Sequence, residues 1–189
     1  MGKPLSPITY GTRGRDRAAT SIKVNRSALD PQRGWLLLDG SAIPVALGRG
    51  GIKANKIEGD GGTPRGAFRP RQLWWRADRH IRPRTKLPAR SISAADAWCE
   101  DPTSRHYNRP IRLSDGAPGD RLKRADHLYD FVVEIDHNSR PRIKKRGSAV
   151  FLHLARPGFQ PTAGCVALTR AAMLRLLKRL GKSTRIEIG

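Results

Sequence analysis

The spacing of apolar and polar residues predicts strands through most of the chain and a helix close to its end. Trp35-Leu36-Leu37-Leu38, then Asp39-Gly40, then Ala42-Ile43-Pro44-Val45-Ala46-Leu47 reads as a hairpin, because Asp-Gly supplies the positive φ of a two-residue turn. Pro44 lacks an N–H, which puts its strand at an edge or a bulge. Residues 128–136, rich in β-branched and aromatic side chains, predict another strand. His137-Asn138-Ser139 turns it, and residues 149–154 are expected to pair nearby. Thr169 is placed to cap a helix in which Met173, Leu174, Leu177 and Leu180 share a face while Arg175, Lys178 and Arg179 meet water. Gly181 is expected to stop it, and Thr184-Arg185-Ile186-Glu187-Ile188 reads as a closing strand.

Two stretches carry no such pattern. Residues 1–32 read as a polar, basic lead-in to a single domain over 33–189. Residues 70–127, broken by Pro83, Pro88, Pro102, Pro110 and Pro118, predict a long irregular insertion. Long loops on a compact scaffold often form binding walls, which makes Trp98, Tyr107 and Asn108 candidates to touch a substrate. The fold class expected is mostly β, with one or two packed helices.

Charge changes the picture more than length does. The 189 residues suit one domain with a real core. Lys and Arg number 37 against 16 Asp and Glu, a formal net charge of +21 with pI about 11.4. Such a surface attracts polyanions: nucleic acid, anionic lipid or a carboxylate-rich wall polymer. The basic residues are scattered, however, from Arg13, Arg15 and Arg17 through 65–90 and 140–146 to 170–185, with no zinc-finger spacing, basic zipper or RNP-like aromatic run. No specific nucleic-acid partner is expected. The chain also lacks the apolar stretch of ~7–15 residues that a secretory signal needs and the ~18 or more of a transmembrane helix. A cytoplasmic location is expected on that ground, or the periplasm or cell envelope by another export route.

The chemistry concentrates near the C-terminal end. Val150-Phe151-Leu152-His153 is an apolar run ending in histidine, and Thr162-Ala163-Gly164-Cys165-Val166-Ala167-Leu168 brings a cysteine ahead of a second apolar run. A thiol of pKa ~8.5 is mostly protonated at neutral pH, and a neighbouring imidazole can take its proton and later return it to a leaving amine. Gly164 permits a tight backbone approach, so that amides near Cys165 can face an oxyanion. The competing reading is core packing, since free cysteine is among the most buried residue types. Cys99 reads as structural. His80, His106, His127 and His137 sit in arginine-rich or turn-like stretches without metal-ligand spacing, so neither metal nor cofactor is expected. Glu100-Asp101 adjoin in a loop and do not make a glycosidase pair. Neither Gly48-Arg49-Gly50-Gly51 nor the segment from Gly59 to Gly66 fits a phosphate-binding pattern; both read as tight loops lining a cleft.

The Cys165 segment resembles that of the L,D-transpeptidase catalytic domain family, in which an apolar strand ends in His and a Ser/Thr-x-Gly-Cys segment supplies the nucleophile. Upstream, Thr63-Pro64-Arg65-Gly66-Ala67-Phe68 is similar to the family's Thr-Pro-x-Gly-x-Phe segment. The resemblance covers roughly 33–189 and implies a β-sandwich-like fold with Phe68 in the core. It also implies cysteine-dependent acyl transfer on peptidoglycan stem peptides, with Cys165 as nucleophile, His153 as base and amides at Gly164 and Cys165 holding the oxyanion. Thr162 is a further substrate-binding candidate. The chain departs from the family pattern at Ala163, where His is common, and at Ala167, where Arg is common; Arg156 and Arg170 are the candidates to replace that arginine. Two alternatives stand beside the transpeptidase: an L,D-carboxypeptidase or amidase trimming muropeptides, and a non-catalytic basic polyanion-binding protein.

Overall fold

Strict alternation of buried and exposed positions builds the first strands. In the computed structural model, which describes residues 18–114 and 119–189, β1 (Ser21–Arg26), β2 (Arg33–Leu38) and β3 (Ser41–Ala46) form an antiparallel meander that turns Ile22, Val24, Leu36, Leu38, Ile43 and Val45 inward. The expected hairpin turn forms at Asp39 and Gly40, with φ of 48° and 75°. The sheet starts earlier than expected, since β1 lies within the stretch assigned to the lead-in. Its two apolar side chains are separated by one polar residue, too short a signal to stand out in a basic segment. Arg13, Arg15, Arg17 and Pro118 lie outside the described residues.

Next, β4 (Ile52–Lys53) and β5 (Thr63–Pro64) pair as a short parallel clip, and β6 (Gly66–Phe68) and β7 (Pro70–Trp75) rejoin the main sheet. β8 (Ala89–Ser91) extends the edge beside β7. β9 (Asp96–Cys99), β10 (Arg109–Arg112) and β11 (Asp120–Arg121) make a separate three-stranded sheet. Then come β12 (Phe131–Ile135), β13 (Phe151–Leu154), β14 (Val166–Leu168), helix α1 (Arg170–Leu177) and β15 (Arg185–Ile188). The insertion is therefore less irregular than its prolines suggested. Pro70, Pro88 and Pro110 sit at or beside strand ends or on exposed edges, where a missing N–H costs little.

The main sheet runs β6-β15-β1-β2-β3-β14-β13-β12-β7-β8. Side chains from Phe68 at one end to Leu73 at the other join one core together with Met173, Leu176, Leu177 and Leu180, so the sheet curls around α1 and its own inner face. Burial of each such side chain is worth ~1.5–3 kcal/mol. Thr169 caps α1 by accepting from Ala172 N–H. Leu174 is only half-buried and Leu176 takes the core position instead. Gly181 does not end the helix: α1 stops at Leu177, and the Gly181 N–H donates to Thr184 Oγ1 (3.0 Å). Pro44 faces Trp35 across the hairpin, and β14 pairs with β3 only at Ala46, so no ladder bond is lost there.

The opposite faces of β7, β12 and β13 matter for function. Trp74, Val132 and Phe151 point away from the main core and pack with Ile92, Trp98, Leu122, Ala149 and Cys165 in a second cluster. The three-stranded sheet thus covers the outer face of β7-β12-β13, and a cleft opens at its margin. No helix among the described residues is long and apolar enough to cross a membrane.

Candidate active site

β13 and β14 lie side by side in parallel, with Leu152 opposite Val166 and His153 opposite Ala167. Period-two alternation puts Phe151 and His153 on the face turned to the insertion, while Leu152 and Leu154 fill the core. Cys165 directly precedes β14. The Phe151 N–H donates to its sulfur (3.3 Å), and the thiol donates to the Ala149 carbonyl (3.2 Å). His153 Nδ1 lies 2.8 Å from the Leu154 carbonyl, a contact that places the ring proton on Nδ1 and leaves Nε2 as acceptor. Tyr129 meets the His153 ring edge-on at 5.5 Å and donates its hydroxyl to Asp120 Oδ2 (3.2 Å).

The loop before Cys165 is held by its own side chain and by the glycine loops. Thr162 Oγ1 donates to the Cys165 carbonyl (2.7 Å) and accepts from the Gly164 N–H (3.1 Å). Gly164 has φ of 144°, and a Cβ there would stand 2.8 Å from the Gly62 carbonyl oxygen. Thr162 is bonded through its backbone to Leu47 and Arg49, and Gly48 N–H donates to Thr63 Oγ1 (2.8 Å). The Thr-Pro-x-Gly-x-Phe segment and both glycine loops therefore form the backing of the Cys165 loop. The Gly164 amide, expected to face an oxyanion, is instead engaged by Thr162.

Cys165 stands between two lobes of the cleft, of about 260 and 310 Å³; Glu100, Tyr129 and Ala163 also border both. The first lobe holds His153, Asp120, Arg124 and Arg156; the second holds Arg49, Lys56 and Glu58. Burial pushes the Cys165 thiol up to about 12 and the His153 imidazole down to about 4. The resting pair is thus thiol and neutral imidazole, and no hydrogen bond joins them among the described residues. Glu100 keeps contact with solvent, yet desolvation of its carboxyl, with Asp120 and Glu58 nearby, raises it to about 7. Lys56 is buried and pairs with Asp60 Oδ1 (2.7 Å). Against desolvation, that contact and the Ile57 and Gly62 amides bring Asp60 down to about 2.

The structure brings Cys165, His153, Thr162 and Arg156 to one lobe and Gly164 to the other. Arg170 lies elsewhere, in a groove with His80, His127 and Asp130, because the start of α1 faces away from the cleft. Tyr107 and Asn108 line neither lobe. Tyr107 is buried and hydrogen-bonded to Glu58. Asn108 is saturated inside the insertion, accepting from Trp98 Nε1 and Ala149 N–H and donating to the His137 and Asn138 carbonyls. Trp98 packs edge-on against Phe151 at 5.0 Å and serves the second core cluster. Both cysteines are free and buried. No trio of His, Cys, Asp or Glu able to hold a metal is found among the described residues. Tyr129, Arg124, Asp120 and Lys56 were missed as cleft residues, and no motif in the sequence marks them.

A family model described as the L,D-transpeptidase catalytic domain, YkuD, matches residues 20–188. No curated protein matches the chain. Among solved structures, it is similar to an L,D-transpeptidase from Mycobacterium tuberculosis H37Rv, with 11% identity and a TM-score of 0.39 over 89% of this chain and 57% of that one. It is also similar to a mutant Enterococcus faecium L,D-transpeptidase, with 13% identity and a TM-score of 0.40 over 90% of this chain and 50% of that one. The chain thus spans about half the length of the solved structures it matches. With the family model extending from just before β1 to the end of β15, the chain belongs to the L,D-transpeptidase catalytic domain family.

Proposed function

We propose that the protein transfers acyl groups between peptidoglycan stem peptides through a thioester on Cys165. The observation that carries this reading is the shared lobe of Cys165 and His153, whose Nδ1 is tied to the Leu154 carbonyl so that Nε2 is left to accept the thiol proton. As the sulfur attacks the carbonyl carbon of an L,D-peptide bond, its proton passes to His153 Nε2. The C–N bond then breaks, the imidazolium protonates the departing D-amino acid, and the acyl group remains on sulfur. An acceptor amine attacks the thioester, losing a proton to His153, and the thiol is regenerated. Because Thr162 engages the Gly164 amide, the Cys165 N–H is assigned to the oxyanion. Arg156, in the same lobe as His153, takes the role of the arginine absent at Ala167 and meets a stem carboxylate.

The test is incubation of the protein and its Cys165→Ala variant with a tetrapeptide-stem muropeptide, with and without an acceptor stem, read by intact mass. Cys165-dependent dimer formation or D-amino-acid exchange is expected. Loss of the terminal D-alanine alone would replace the transferase by a carboxypeptidase, and unchanged muropeptide with both proteins would overturn the substrate class.

A further inference from the structure

A second cavity, of about 580 Å³, lies between β7, β8, β10, β12 and the 140–142 turn, and none of its lining residues borders the Cys165 cleft. Five guanidinium groups surround it, those of Arg71, Arg90, Arg109, Arg140 and Arg142, against the single carboxylate of Glu134. Three are held in place. Arg71 Nε pairs with Glu134 (3.3 Å), Arg142 Nε donates to the Asn108 carbonyl (3.2 Å), and Arg90 stacks 4.9 Å over the Trp74 ring while pairing with Asp96 (2.9 Å). Arg109 and Arg140 are exposed and have no carboxylate partner among the described residues. Burial, and then Arg109 and Arg71, lower the pKa of Arg142, while Glu134 acts in the other direction, so like charges outweigh the carboxylate there.

We infer that this pocket is a binding site for a linear oligophosphate. Planar guanidinium forks match phosphate oxygens two at a time. With Glu134 paired to Arg71 and Asp96 paired to Arg90, three of the five positive charges remain as a surplus that a monophosphate does not neutralise and a chain of two or three phosphates does. A nucleic-acid backbone is followed by a groove or stripe of charge, whereas these arginines converge on one cavity.

The experiment is titration calorimetry of the full chain with inorganic tripolyphosphate, ATP and inorganic phosphate in 150 mM salt, where the Debye length is about 8 Å and diffuse attraction is screened. The pocket variant is Arg109→Gln with Arg140→Gln, both at exposed positions; the control is Lys23→Gln with Arg26→Gln, which removes the same charge from exposed positions of β1. Tripolyphosphate is expected to bind at least tenfold tighter than inorganic phosphate and to lose at least tenfold in the pocket variant, with the control unchanged. ATP equal to tripolyphosphate assigns recognition to the phosphates alone; ATP tighter by tenfold, with the same loss in the pocket variant, adds a nucleoside to the same site. Equal losses in pocket and control variants would reduce the effect to net charge and overturn the proposal. So would a random-sequence DNA duplex that binds more tightly than tripolyphosphate and depends on the same two arginines. Cys165-dependent product formation is expected to persist in the pocket variant, so failure here is separable from failure of the transpeptidase reading.

Discussion

Thr162 holds the loop that presents Cys165, and its replacement by valine tests that role with almost no change of shape. The side chain is 9% exposed, and its hydroxyl both donates to the Cys165 carbonyl at 2.7 Å and accepts from the Gly164 N–H at 3.1 Å. Valine can do neither, so two backbone groups lose their partners in a site where Cys165 is itself 7% exposed. Each buried group left unsatisfied costs about 1–3 kcal/mol. Water entering from the adjacent cleft relieves part of this, and a total of about 2–3 kcal/mol is expected. For a domain of this size that corresponds to a fall in Tm of roughly 4–12 °C. Thr162→Ser keeps the hydroxyl and loses one methyl, worth about 0.8 kcal/mol. Thermal unfolding followed by circular dichroism separates the two variants, and muropeptide turnover separates them further, since a misplacement of ~1 Å at a reacting atom costs about 10²-fold in rate. If Thr162→Val and Thr162→Ser unfold at the same temperature and react at the same rate, the hydroxyl does not position the thiol and the account of this loop is wrong.

Three further outcomes follow from the same geometry. Gly164→Ala places a methyl 2.8 Å from the Gly62 carbonyl at φ of 144°; strain of ~1–3 kcal/mol and loss of most turnover are expected, and wild-type kinetics in the purified variant would show that the loop tolerates the shift. Alkylation of Cys165 by iodoacetamide, followed by peptide mass, is expected to accelerate about tenfold per pH unit through pH 9–10, because its thiol is pushed up to about 12; a plateau near pH 7 would reveal a thiolate already formed. The folded-state pKa of His153, about 4 against an ordinary 6.5, means that the folded protein binds fewer protons than the unfolded chain between those values. Its contribution to stability is thus complete above pH 6.5 and falls away toward pH 4, by about 3 kcal/mol in all. Glu100, raised to about 7 from 4.5, acts with the opposite sign in an overlapping window, so the measurement is the difference between wild type and His153→Gln in urea unfolding from pH 7 to 4. A difference that does not vary with pH would refute it.

What could be read from the residues alone was the part specified by local chemistry. Asp39-Gly40 formed its turn, Thr169 its cap, and the apolar stretches ending in His153 and beginning after Cys165 became neighbouring strands of the main sheet. The sequence could not show that Phe151 and Leu152 serve different cores. Both are apolar, and the alternation that separates them is visible only once the small sheet of β9, β10 and β11 covers one face. Asn108 turns inward for a related reason. A polar residue in a proline-broken stretch suggests a loop facing solvent, but its amide satisfies four partners inside the protein, including the Ala149 N–H. Of the cleft residues, Glu100 directly follows β9, Asp120 opens β11, and Arg124 and Tyr129 lie between β11 and β12, so only tertiary packing brings them to Cys165.

The burial of Cys165 and His153 also sets the terms of the proposed reaction. With the thiol near 12 and the imidazole near 4, forming a thiolate–imidazolium pair is strongly unfavourable. The thiol donates its hydrogen bond to the Ala149 carbonyl rather than to His153, so in the proposed reaction the S–H has to turn before His153 can receive its proton. Two groups favour negative charge on sulfur, the Phe151 N–H at 3.3 Å and the Lys56 ammonium, while Asp120 and Glu100 oppose it. A cationic group on the substrate entering the first lobe would neutralise those carboxylates and tilt the balance toward the thiolate. If Cys165 is the nucleophile proposed above, occupancy of the cleft would gate its reactivity and protect it from solution electrophiles. Alkylation of Cys165 at pH 7.5 should therefore quicken when an unreactive amine-bearing stem fragment is present. Simple occlusion by the same fragment would slow it, and slowing would count against the gating.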